Sequence, residues 1–195
     1  MVANIQAYLK AEFGYSDFQI AQIRYALLCI LSEASKLLIL GVFFYCMNKF
    51  SLFLWAAIVL CTLRTVTGGL HYKHYWSCLL MTVLFFFFGI LVLPLIPLRM
   101  YGHILLLCVC IGINYQYAPI VSSYRPVPDG VSIQKSKMQS FVFITIYTFL
   151  LFIIPENPYF MVGSWIIILQ SLQLFAANIR QRRKNHETYF QGQSV

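Results

Sequence analysis

Between Arg64 and Cys78 the chain reads RTVTGGLHYKHYWSC, an island of chemistry-bearing side chains set between two apolar runs. Its thiol and imidazoles are the parts of a nucleophilic site. A free thiol has a pKa of about 8.5 and is scarcely ionised at neutral pH; a neighbouring imidazole raises the thiolate fraction. The thiolate can attack a peptide carbonyl, and the imidazolium can return the proton to the departing amine. If the chain after Gly69 is helical, the spacings His71 to His74, His74 to Cys78 and His71 to Cys78 place all three side chains on one stripe, so that either histidine qualifies as the base. Taken alone, a cysteine at the head of an apolar helix is more often packing, and interfacial His and Tyr are often headgroup anchors. Three neighbours favour chemistry: a Gly-Gly that lets backbone approach a substrate, an arginine at membrane depth, and a short apolar run that holds both near the boundary.

The same residues also spell His-x-x-His-x-x-x-Cys, three ligands for a catalytic zinc with an open position. A glutamate base at the spacing of zinc peptidases is missing, and Lys73 beside the ligands opposes a cation, so neither a metal nor another cofactor is expected. Around the thiol, the amides near Gly68 and Gly69 either stabilise an oxyanion or simply permit close helix packing, with equal weight. Arg64 either meets an acidic group of the substrate, snorkels to the membrane surface or pairs with Glu33. Glu33, Asn114 and Gln116 are each candidates to orient a histidine. Glu33 and Lys36, three apart inside an apolar run, are most simply read as a structural ion pair.

The elements that must position these groups are membrane helices. With 60% hydrophobic and 10% charged residues in 195, the chain has too little polar surface to coat a soluble globule. Its net charge of +8 lies in short loops and a tail rather than on an aromatic-interleaved face, which argues against nucleic acid and for anionic lipid or an acidic peptide. Apolar runs over Tyr25–Met47, Cys78–Leu98, Gly102–Val121 and Phe160–Ile179 reach spanning length, and Met138–Ile154 is at its short limit. The run Ser51–Leu63 is too short and must either continue through Arg64 or break, with Gly68-Gly69 favouring a break. The expected fold is therefore all-α: a polytopic membrane protein of about six transmembrane helices, with a short or broken second span.

Placing the amino terminus in the cytosol puts most Lys and Arg on the inner side, so both termini and the 64–78 segment are expected at the cytosolic face. Val2, Ile5, Leu9 and Phe13 recur at helical spacing and predict an interfacial amphipathic helix over residues 1–15. Ser16 with Gln19 forms a capping box that starts the first span. Residues 1–185 read as a single membrane-embedded domain; the tail 186–195, with its ETYFQGQ, is similar to a tag-protease recognition site lacking one residue and is left out of that domain.

The pattern Arg-x-x-x-Gly-Gly-x-His with a cysteine seven positions after the histidine, here Arg64, Gly68, Gly69, His71 and Cys78, resembles the accessory gene regulator B (AgrB) family of bacterial quorum-sensing membrane peptidases. The loop YAPIVSSYRPV is similar to the family's cytosolic segment, with Ala118, Pro119, Arg125 and Pro126 in corresponding places, although the stretch that follows carries only Lys135 and Lys137. The resemblance implies a bacterial cell-membrane cysteine peptidase with Cys78 as nucleophile and His71, rather than His74, as base. It further implies Arg64 and Arg125 as substrate-contacting residues, a small AgrD-type precursor as substrate, and a homodimer. Cleavage of the precursor's carboxy-terminal tail would leave a thioester, which an internal Cys or Ser closes into a thiolactone or lactone. A peptide transporter or channel is the alternative from another class, because Asn114, Gln116, Gln170, Gln173 and Asn178 place polar groups on apolar spans.

Overall fold

The computed structural model describes residues 14–69, 74–120, 129–155 and 157–192, so the expected interfacial helix, His71, Lys73 and Arg125 lie outside the described residues. Helix α1 (Asp17–Cys46) starts at the foreseen capping box: Gln19 N donates to Ser16 Oγ at 3.3 Å, and Ser16 N donates to Gln19 Oε1 at 2.9 Å. Reciprocal bonding of this kind satisfies two of the amide donors left orphaned at a helix start. The chain turns over Met47–Lys49, where Asn48 takes a left-handed φ of 55° that asparagine tolerates better than most residues.

Helix α2 (Phe50–Thr67) then returns antiparallel. The two outcomes expected for the short second run both occur, in sequence: the helix carries on through Arg64 to Thr67, and it breaks at Gly68. Eighteen residues give a rise of about 27 Å, close to the hydrocarbon thickness that Ser51–Leu63 alone could not reach. Polar residues in the extension are accommodated because Thr65 Oγ1 and Thr67 Oγ1 donate to the Thr62 and Leu63 carbonyls, at 2.9 and 3.0 Å.

Helix α3 (Tyr75–Phe87) continues through a π-helical turn, Phe88–Val92, and a 3-10 turn, Leu93–Leu95, in which Pro94 ends it. Helices α4 (Met100–Tyr117), α5 (Gly130–Ile153) and α6 (Pro158–Gly192) complete the described residues, in which no β-strand occurs. Among the described residues, five segments are long and apolar enough to cross a membrane: Asp17–Cys46, Phe50–Thr67, Tyr75–Leu95, Gly130–Ile153 and Pro158–Arg182. Helix α4, expected as a span over Gly102–Val121, is not among them: His103, Asn114 and Gln116 dilute its apolar character. It keeps two of these, His103 and Asn114, buried.

The chain is thus an all-α polytopic membrane protein. Leu31, Leu38, Leu105 and Phe149 stand exposed on its outer surface, an arrangement suited to lipid rather than water. Helix α6 is the most enclosed of the five spans and α1 the most peripheral. Phe53 of α2 stacks on Phe44 of α1 at 5.2 Å and meets Phe86 of α3 edge-on at 5.1 Å, locking the first three helices together. That packing sets α1 and α3 side by side in parallel, and it fixes which residues of α1 face the head of α3.

Candidate active site

Cys78 sits one turn into α3, where its N–H donates to the His74 carbonyl at 3.2 Å. Its side chain is turned into the bundle and the residue is 8% exposed. Lys36 of α1, 1% exposed, donates from Nζ to Cys78 Sγ at 3.1 Å and to Glu33 Oε1 at 2.8 Å. The expected Glu33–Lys36 ion pair is therefore present, but it is not closed on itself. A second link joins the same two helices. Ser35 Oγ donates to the Ser32 carbonyl at 2.9 Å, which leaves it to accept from Tyr75 Oη at 2.8 Å, and the Tyr75 ring lies 6.0 Å from Lys36 Nζ.

On its other side, Cys78 opens onto a cavity of about 20 Å³, lined also by Leu60, Arg64, Met81, Thr82, Phe85 and Gln173, with room for one water-sized group. The structure thus brings Cys78 and Arg64 to one cavity. Thr82 Oγ1 donates to the Cys78 carbonyl at 2.8 Å and braces the turn that carries the sulfur.

The two glycines have different surroundings. Gly68, at φ 75°, caps α2 with its N–H on the Arg64 carbonyl at 2.9 Å, and it bridges in parallel to Ile120 at the end of α4, whose N–H donates to Thr67 O at 3.0 Å. A Cβ on Gly68 would collide with the Ile120 carbonyl. Its own carbonyl accepts from Gln170 Nε2 at 2.9 Å. The Gly68 amide is thus engaged by its own helix, and its backbone lies against that of Ile120. At Gly69 a Cβ would lie 3.1 Å from Arg64 Nε, so the second glycine makes room for the arginine.

The helical stripe expected to run through His74 to Cys78 is interrupted at His74, and His71 lies outside the described residues. Helix α3 begins at Tyr75, and His74 occupies the extended N-cap position (φ −100°, ψ 133°), exposed and without a side-chain capping bond. Among the three candidates to orient a histidine, only Glu33 belongs to the hydrogen-bonded surroundings of Cys78, through Lys36. Asn114 is buried and gives its Nδ2 to Ser171 Oγ at 2.7 Å and to the Cys110 carbonyl at 2.8 Å, whereas Gln116 is exposed. Among the described residues no three His, Cys, Asp or Glu side chains cluster as metal ligands would; His71, a member of the zinc alternative, is not one of them.

Lys36 was absent from the site read in the sequence, as were Gln173 and Thr82. A signal for Lys36 existed: an ammonium has three donors, and one carboxylate three residues away does not exhaust them inside an apolar span.

The family model for accessory gene regulator B matches residues 2–174. An AgrB-like protein of Clostridium beijerinckii is 27% identical over 191 residues, covering 96% of this chain and 94% of that protein. Accessory gene regulator protein B of Staphylococcus aureus is similar at 23% identity in strain MW2, over 89% of this chain and 91% of that one, and at 21% in strain Newman, over 89% and 90%. No solved structure matches the chain. With its family model covering all the described spans but the end of the last helix, the chain belongs to the accessory gene regulator B family.

Proposed function

We propose that this protein is a membrane cysteine endopeptidase of quorum sensing, acting on a small AgrD-type precursor. Cys78 attacks the peptide bond joining the future signal to its carboxy-terminal tail. His71 takes the thiol proton and returns it to the leaving amine, so that the tail departs and an acyl-thioester remains on the sulfur. An internal Cys or Ser of the precursor then displaces Cys78 and closes a thiolactone or lactone ring. Water competes for the same thioester, and a partly dry pocket with a held, ring-ready substrate favours cyclisation.

The observation that carries this reading is the setting of Cys78: a buried sulfur contacted by an ammonium donor on one side and open, beside Arg64, to a cavity on the other. Electropositive surroundings of this type are where reactive rather than merely structural cysteines are found. Arg64 at the same cavity gives an acidic group of the precursor tail a cation to meet. Both termini and the Arg64–Cys78 segment lie, in this reading, at the cytosolic face of a bacterial membrane, and the working unit is a homodimer.

The test is covalent. Purified protein incubated with a candidate precursor should gain the mass of the signal segment on Cys78, and Cys78→Ala should gain nothing and release no tail. Tail release by Cys78→Ala would overturn the assignment.

A further inference from the structure

The peptidase reading accounts for Cys78 but leaves Lys36 without a purpose. A lysine inside an apolar span ordinarily extends its stem and returns its charge to the membrane surface. Lys36 instead turns inward, is almost wholly buried, and divides its ammonium between Glu33 Oε1 at 2.8 Å and Cys78 Sγ at 3.1 Å. A neutral thiol is a weak acceptor and a poor partner for a desolvated cation, whereas a thiolate is a full anion. The Tyr75–Ser35 bond holds α1 against the head of α3 at the same level, so the contact is built into the helix pair.

The geometry points to Lys36 as a further catalytic group, a fixed cation that holds the Cys78 sulfur as a thiolate while Glu33 holds Lys36. This rests on the reading of Cys78 as nucleophile. Lys36 keeps all its protons throughout: the thiol proton goes to His71, a sulfur electron pair forms the S–C bond, the C–N bonding pair leaves with the amine, and the imidazolium returns the proton to that amine. Once acylated, the sulfur is no longer an anion, and Glu33 remains as the carboxylate partner of the ammonium. That pairing has a second value, since an uncharged lysine so near a thioester would attack it and leave a dead-end amide. As an ammonium it has no lone pair with which to do so.

The experiment uses the full chain in detergent with Cys29, Cys46, Cys61, Cys108 and Cys110 replaced by alanine, and reads iodoacetamide modification of Cys78 by intact mass across pH. Among the described residues, the charged and titratable groups around the sulfur are Lys36 from α1, with Glu33 and the Tyr75 ring beside its ammonium, and Arg64 from α2; α6 contributes the uncharged Gln173. Only Lys36 differs between the variants compared. Lys36→Met should slow modification at neutral pH by about tenfold or more, with the rate recovering at alkaline pH, because a nearby opposite charge commonly favours the ionised form by a unit or more. Lys36→Arg should keep most of the parent rate.

A Lys36→Met profile that tracks the parent at every pH would overturn the inference. A second measurement requires no change at Lys36: the parent minus Cys78→Ala ultraviolet difference at neutral pH should contain thiolate absorbance, and its absence sinks the idea even where Lys36→Met does not fold. Both readouts report on the sulfur alone. Failure of the peptidase reading shows separately, as tail release by Cys78→Ala.

Discussion

The Ile120 carbonyl occupies the space that a Cβ on Gly68 would need, so the ends of α2 and α4 approach as closely as two backbones can. Gly68 also has a positive φ, and the two demands compound. Gly68→Ala should cost at least the 1–3 kcal/mol or so typical of a strained backbone position, and because the obstacle is backbone it has no easy relief. Gly69→Ala meets only the flexible Arg64 side chain and should cost less. Thermal unfolding in detergent ranks the two; a Gly68→Ala protein melting with the parent would remove the close approach from the account.

His74 has a helix-capping place but makes no side-chain cap. Replacing it with asparagine supplies an acceptor for the first amides of α3, and a gain of about 0.5–1 kcal/mol is expected, near the lower part of the range measured for caps. His74→Ala and His74→Asn should both retain substantial precursor cleavage, whereas His71→Ala should lose it. Equal loss in the His71 and His74 variants would mean that the base has been misassigned.

Gln170 donates to the Gly68 carbonyl, while its own Oε1 is buried without a hydrogen-bond partner among the described residues. Gln170→Leu therefore removes one good bond and one unsatisfied acceptor together. The net stability loss should be about 1 kcal/mol, at the low end for a lost buried bond. Cleavage should fall further than that loss implies, because the end of α2 beside Arg64 is then less firmly held. Parallel melting and turnover assays decide the point: turnover falling no more than stability argues against a positioning role.

Tyr75 and Ser35 offer a direct measure of how firmly α1 grips α3. In a double-mutant cycle of Tyr75→Phe and Ser35→Ala, the coupling should be about 0.5–1.5 kcal/mol. Each single change should also slow Cys78 alkylation modestly by loosening the contact with Lys36. Strictly additive stabilities would show that the hydrogen bond carries no load.

Most helices were legible because a membrane span must be long and apolar, and run length reports both. The Ser16–Gln19 cap and the Glu33–Lys36 pair were legible for a similar reason: each is settled within one helical turn. The second span was read short because Arg64, Thr65 and Thr67 look like a boundary. The two threonines in fact return their hydroxyls to their own helix, and the arginine turns to the cavity. The contact between Lys36 and Cys78 depends on how two helices lie side by side, which no local pattern encodes. The sequence singled out Cys78 by its polar neighbours; that Lys36 lies against it emerges only from the packing.

The widened turn at Phe88–Val92 carries a consequence for that company. A π-helical turn holds one residue more than the α-helical turn it replaces, and each residue advances an α-helix by about 100°. Deleting a single residue there would let α3 wind evenly and swivel its cysteine-bearing half by about a quarter-circle relative to the part beyond the turn. The widened turn is in effect a fixed dial setting, and it aims the sulfur at the lysine from nearly three turns away.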